Sequence, residues 1–161
     1  MKKVAFAIAS MIAIGAASAA SAQTISPTGS FTISGSAVMQ QSTTANCTIA
    51  GSGSNTSTVG TIASRSFPSG TFGLCGPLGL VQPYGAWSFR VAPGLTNKIY
   101  LKVGANTVLN KPCYGEVLVD WDNATSKATF NNNVIPPVNA GDPSCTLVSG
   151  GVTISSARTI S

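Results

Sequence analysis

EVLVDWDNATSKATFNN, residues 116–132, alternates its side chains with a period of two and then turns back on itself. Val117, Val119 and Trp121 fall on one face, and Leu118, Asp120 and Asp122 on the other. That is the pattern of a half-buried strand. Asn123 to Ser126 supply turn-forming residues, and Ala128 to Phe130 return as the second arm of a hairpin. Trp121 is expected in the core.

The same texture continues on both sides of this hairpin. Short runs rich in Thr, Val, Ile and Phe are separated by Gly, Pro, Ser and Asn, and helical periodicity is nearly absent. The candidate strands are Phe31–Ile33, Ala37–Gln41, Asn46–Ala50, Ser57–Ile62, Trp87–Val91, Ile99–Val103, Glu116–Asp122, Lys127–Asn131, Ser144–Val148 and Val152–Ser155. So many short strands suggest a two-sheet sandwich or a barrel. The expected fold is all-β, a two-sheet sandwich of about eight to ten strands with two disulfides. Trp87 is the second core candidate, with Phe89 and Val91 continuing its face. Two segments echo each other, CTIAGSG at 47–53 and CTLVSGG at 145–151. They fit either a duplicated half-domain or the reuse of a common strand pattern.

The N-terminus reads as a removable secretory signal over residues 1–22. Lys2 and Lys3 precede an apolar run from Val4 to Ala17, and small residues end at Ala20-Ser21-Ala22. The run is shorter than the roughly 20 residues a bilayer-spanning helix needs. No later stretch is apolar for long enough to span. Residues 23–161 are expected to form a single all-β domain without a transmembrane segment. The expected location is extracellular or at the cell surface, with the periplasm as the alternative.

Four cysteines, Cys47, Cys75, Cys113 and Cys145, follow the signal. An even number in an exported chain implies two disulfides. Three pairings are open; Cys47–Cys75 and Cys113–Cys145 are favoured because each closes a moderate loop. Such a loop stabilises by roughly 3–4 kcal/mol through the unfolded state. No C-x-x-C spacing and no histidine accompany them, which argues against zinc.

Charged residues make up 8% of the chain, so the surface is expected to be covered by Ser, Thr, Asn and Gly. Beyond the signal, seven cations are scattered: Arg65, Arg90, Lys98, Lys102, Lys111, Lys127 and Arg158. Without a cluster, nucleic-acid binding is a poor reading. The absence of histidine removes the commonest general base and metal ligand. Only Glu116, Asp120, Asp122 and Asp142 remain as carboxylates. Asp120 and Asp122 lie about 7 Å apart on one face of a strand, too few oxygens for a calcium site. No catalytic, metal or cofactor site is expected, and the chain is read as a non-enzyme.

Residues 67–86, FPSGTFGLCGPLGLVQPYGA, are rich in Gly and Pro yet strongly apolar. Phe72, Leu74, Leu78, Leu80, Val81 and Tyr84 are the candidate contact residues there, since apolar loops tend to be contact sites. The competing reading is a loop folded over the open end of the β-structure and pinned by Cys75.

The order of motifs, TISP, NCTIAGSG, LCG, the W-D-N-A-T hairpin and SCTLVSGGVTIS, resembles small secreted bacterial proteins called protein activators of alkane oxidation, of the PraB type. The resemblance covers most of residues 23–161 and brings no catalytic residues. It implies an extracellular protein that assists growth on water-insoluble hydrocarbon, with a hydrophobic surface as partner and biofilm or matrix association as a related role. A second resemblance is to pilus or surface-fibre subunits. It implies self-association, with residues 23–41 as a strand donated to a neighbour.

Overall fold

The structure is a computed structural model that describes residues 22–161. The signal assigned to residues 1–22 lies outside the described residues except for Ala22. The strands are β1 (Ile25–Ser26), β2 (Gly29–Gln40), β3 (Thr44–Asn55), β4 (Val59–Ser66), β5 (Gln82–Pro83), β6 (Trp87–Ala92), β7 (Leu95–Asn106), β8 (Cys113–Asp122), β9 (Lys127–Ile135), β10 (Cys145–Ile154) and β11 (Thr159–Ile160). The hairpin at 116–132 forms as expected, with Val117, Val119 and Trp121 buried and Leu118, Asp120 and Asp122 exposed.

Strands β2, β3, β4, β6, β7, β8, β9 and β10 each pair antiparallel with the next, and β10 returns to pair with β2. The architecture is therefore an eight-stranded closed barrel of up-and-down order, which corrects the expected two-sheet sandwich. β5 adds to the end of β7, and β1 pairs with β11.

Closure depends on strands longer than their local sequence suggests. The segments 31–33 and 37–41 belong to one strand, as do 144–148 and 152–155. Ser34-Gly35-Ser36 and Ser149-Gly150-Gly151 look like breaks, but they follow one another along the seam where β2 meets β10, with Ser36 and Gly151 as partners. A Cβ on Gly35 would stand 2.0 Å from the Gly151 carbonyl oxygen, and one on Gly150 would stand 2.3 Å from that of Ser36. These glycines let two backbones approach closely, and a bulge between Leu147 and Ser149 adds bend. Closed this way, the sheet leaves no long free edge.

Two seams of the barrel are short. β8 and β9 pair only at Asp120–Thr129, Trp121–Ala128 and Asp122–Lys127, and β4 and β6 only from Val59–Arg90 to Ile62–Trp87. β2 and β3, by contrast, pair from Gly29–Asn55 to Gln40–Thr44. Both short seams lapse toward the same end. Residues on either side of the β8–β9 gap are joined by Asn133 Nδ2, which donates to the Leu118 carbonyl at 2.8 Å, and by the Cys113–Cys145 disulfide.

Because the strands alternate in direction, their connections gather at two ends. The rim carries 41–43, 67–86, 107–112 and 136–144; the foot carries the turns at 56–58, 93–94 and 123–126 together with β1 and β11. Inside, Phe31, Ile33, Met39, Ile49, Ile62, Trp87, Phe89, Leu101, Val119, Trp121, Phe130 and Val152 are buried, while Val91 is half-buried. Burying each large side chain stabilises by roughly 1.5–3 kcal/mol. Outward positions such as Thr32, Ser34, Ser36, Thr61, Asp120 and Thr129 are polar. This is the inverse of a transmembrane barrel, which is apolar toward lipid.

The echoing segments at 47–53 and 145–151 flank β2 from either side, on β3 and β10. They are the second and the last of the eight barrel strands. A duplicated half-barrel would set them four strands apart, so the likeness reflects similar local demands.

Candidate functional site

Loop 67–86 has two faces. Phe67, Cys75 and Val81 are buried and Leu74 packs partly against the core. Phe72 is 96% exposed, Leu78 99% and Leu80 61%. Tyr84 is on the boundary at 37% exposure, with its ring edge-on to Tyr114 at 6.1 Å between centroids. Of the six candidate contact residues, Phe72, Leu78 and Leu80 therefore form an outward tip. Val81 and Leu74 do not: they are anchors that face the barrel mouth. The loop is both cover and exposed apolar surface.

The anchors are strong. The Phe67 ring lies 5.9 Å from that of Trp87, whose Nε1 donates to the Tyr84 and Gly104 carbonyls at 3.1 Å each. Cys75 is bonded to Cys47 of β3, and Cys113 to Cys145, the favoured pairing. Thr48 N donates to the Ser69 carbonyl at 2.9 Å. Gln82 Nε2 donates to the carbonyls of Gly76 at 2.6 Å and Gly79 at 2.8 Å, clamping the knuckle from which Leu78 projects. Gly70 is required by proximity, since a Cβ there would stand 2.5 Å from Cys75 Sγ.

Phe72 is held differently. Its φ is +51°, a left-handed conformation that costs a bulky residue roughly 1–2 kcal/mol. Neither burial nor backbone geometry rewards a phenylalanine at this position.

Two further apolar residues belong to the rim, Leu109 at 47% and Val138 at 43% exposure. Sequence reasoning passed over them; their signal was the Val108-Leu109 pair in one turn-rich segment and Val138 in the other. Their loops are joined: Val138 N donates to the Pro112 carbonyl at 2.9 Å. Buried Gln41 pins both, its Nε2 donating to the carbonyls of Lys111 at 3.2 Å and Pro143 at 2.7 Å, while the Thr107 hydroxyl donates to Gln41 Oε1.

The barrel interior leaves a cavity of about 40 Å³ among side chains including Ile33, Met39, Ile49, Trp87, Leu101 and Phe130. That is well below the ~150 Å³ at which an engineered apolar cavity holds benzene. As folded, the interior is a packed core with no room for a hydrocarbon chain.

The carboxylates are occupied by structural partners. Arg90 grips Glu116 in a bidentate pair, with Nε donating at 2.9 Å and Nη2 at 2.6 Å, and the guanidinium hydrogen bond holds the Glu116 carboxyl below its ordinary value. Lys98 pairs with Asp120 at 2.6 Å. Lys111 pairs with Asp142 at 3.0 Å, and that contact, with help from Asn139, pulls the Asp142 carboxyl down. Asp122 accepts from the Thr125 hydroxyl and Ala124 N, which lower its pKa. Among the described residues no group of three or more His, Cys, Asp or Glu is gathered as a metal site.

The foot holds a residue that the sequence reading counted merely as a scattered cation. Arg158 is 2% exposed and faces no carboxylate. Its guanidinium donates to Asn55 Oδ1 at 2.9 Å, to the Ser30 carbonyl at 2.8 Å and to the Ser156 carbonyl. The Ser126 hydroxyl donates to the Arg158 carbonyl at 2.9 Å and accepts from its N–H at 2.7 Å.

Within 23–41, the proposed donor segment, β2 is hydrogen-bonded on both sides by its own chain. No helix among the described residues is long and apolar enough to cross a membrane. A family model described as alkane oxidation protein activator PraA/PraB-like matches residues 1–161. No curated protein and no solved structure matches the chain.

Proposed function

We propose that this chain, which belongs to the PraA/PraB-like family of alkane oxidation protein activators, is a non-enzymatic exported protein that works at a hydrophobic surface. Its contact is the tip of loop 67–86. The observation that carries this reading is the exposure of Phe72 and Leu78, 96% and 99%, on a loop whose other apolar residues anchor it. A rigid apolar tip loses little conformational entropy on contact, so most of the burial gain is retained. Burying Phe72, Leu78 and Leu80 in an apolar phase is worth roughly 1.5–3 kcal/mol per side chain. Disulfides at both Cys47–Cys75 and Cys113–Cys145 suit an oxidising compartment. The commitment of the carboxylates to ion pairs and a turn supports the non-enzymatic reading.

The test is partition of the purified exported protein between buffer and droplets of a liquid n-alkane. The protein is expected to collect on the droplets. Leu78→Ser combined with Leu80→Ser should lower the bound fraction by about tenfold or more, with thermal unfolding unchanged. Wild-type protein that stays in the aqueous phase, or that assembles into fibres seen by electron microscopy, overturns the reading.

A further inference from the structure

We infer that the contact surface spans the whole rim, with Leu109 and Val138 joining the tip of loop 67–86, and that it selects an uncharged apolar phase over an anionic lipid layer. The inference rests on the proposed function and adds the extent and electrostatic preference of the site.

Charge placement carries the argument. With a pI of about 9.3, the chain as a whole would be expected to favour anionic surfaces. The rim does not share that character. Segments 41–43 and 67–86 contain no charged residue, 107–112 contains only Lys111, and 136–144 only Asp142. Lys111 and Asp142 pair with each other at 3.0 Å, so the rim loops carry no net charge. The remaining cations stand elsewhere. Arg90, Lys98 and Lys102 lie on the barrel wall, the first two in ion pairs and the third over the Tyr114 ring. Arg65 lies opposite Gly51, seven residues along β3 from its rim end. Lys127 starts β9 at the foot, and Arg158 is buried there.

The exposed apolar side chains are convex rather than enclosing. Phe72, Leu78 and Leu80 project from one loop, and Leu109 and Val138 from two others tied together through Pro112 and Gln41. A projecting set cannot wrap a single small molecule, but it can enter a fluid apolar phase end-on with the barrel axis across the boundary. At that end anionic headgroups would meet loops with no net charge, and one unpaired cation on the adjoining wall, Lys102, whose ammonium lies over the Tyr114 ring. Screening, which weakens attraction to charged surfaces, should therefore leave binding untouched.

The experiment compares droplets of a liquid n-alkane with vesicles of phosphatidylcholine and of phosphatidylcholine with phosphatidylglycerol, each at low and high salt. Droplet binding is expected at both salt levels, with no gain from phosphatidylglycerol. Leu109→Ser with Val138→Ser should lower droplet binding by roughly fivefold, because each buries about half a side chain. Both positions are exposed, and an unchanged unfolding temperature confirms the fold of the variant. Binding that needs phosphatidylglycerol and collapses in high salt overturns the inference, as does wild-type droplet binding by the double variant. If Leu78→Ser with Leu80→Ser also binds like wild type, the contact function itself fails. If only Leu109→Ser with Val138→Ser does, the tip reading stands and the extended rim is wrong.

Discussion

The foot and the rim close the same barrel by opposite means. At the foot, β1 and β11 pair and Arg158 donates to side-chain and main-chain oxygens from three parts of the chain. Its hydrogen bonds are made inside the protein, and the foot's most exposed large apolar residues, Val59 and Leu95, are 42% and 40% exposed, far less than Phe72 and Leu78 at the rim. At the rim, two disulfides and the Gln41 pin hold loops whose large apolar side chains point outward. The foot is built to be finished within the chain. The rim is covalently secured yet leaves apolar surface unburied, as expected where the partner lies outside the molecule.

Substitutions at the foot should separate the two ends most sharply. Arg158→Ala leaves Asn55 Oδ1 and the Ser30 carbonyl without a donor in a buried site and is expected to destabilise by about 3–5 kcal/mol. Denaturant unfolding measures this. Droplet binding by the protein that remains folded should stay at the wild-type level; its loss would show that the ends are coupled.

Cys47→Ser with Cys75→Ser acts at the rim. Opening a loop of 28 residues is expected to cost about 3 kcal/mol, most of it through the unfolded chain. Here droplet binding should fall as well, because the tip residues flank Cys75 and lose their tether. Calorimetry together with partition reads both effects. Intact binding would mean that Phe67, Val81 and the Gln82 clamp hold the tip unaided.

The smallest effect is that of pH. The chain has no histidine, so stability should be nearly flat between about pH 5 and 8. Glu116, Asp122 and Asp142 have lowered pKa values from their hydrogen-bonding partners. Their contribution is present above the ordinary carboxylate range and is lost as pH falls through the lowered values. All three sit near solvent, which keeps the loss modest. Thermal melts across this range should show a plateau and an acid decline; a transition near neutrality would contradict it.

Much of this was legible residue by residue. The period-two alternation of Val117, Val119 and Trp121 is a property of neighbours, and it correctly announced an inward face. Cysteine spacing pointed to the pairs that form. The apolar loop at 67–86 was visible as an oddity of composition. Which of its residues turn outward was not, because Val81 and Leu78 are equally apolar and differ only in what stands above them.

By itself, the sequence determined strand formation, the hairpin at 116–132, the inward aromatic residues and the absence of histidine chemistry, since these rest on local alternation and composition. Tertiary structure alone decided the closed barrel, the role of Gly35 and Gly150, the burial of Arg158 and the division of the rim loop into anchors and tip. The physical reason is distance along the chain. Gly35 reads as a strand breaker until the Gly151 carbonyl lies against it, and Arg158 reads as a surface cation until Asn55 and Ser30 surround it. These partners lie more than a hundred residues away, beyond the reach of any local pattern.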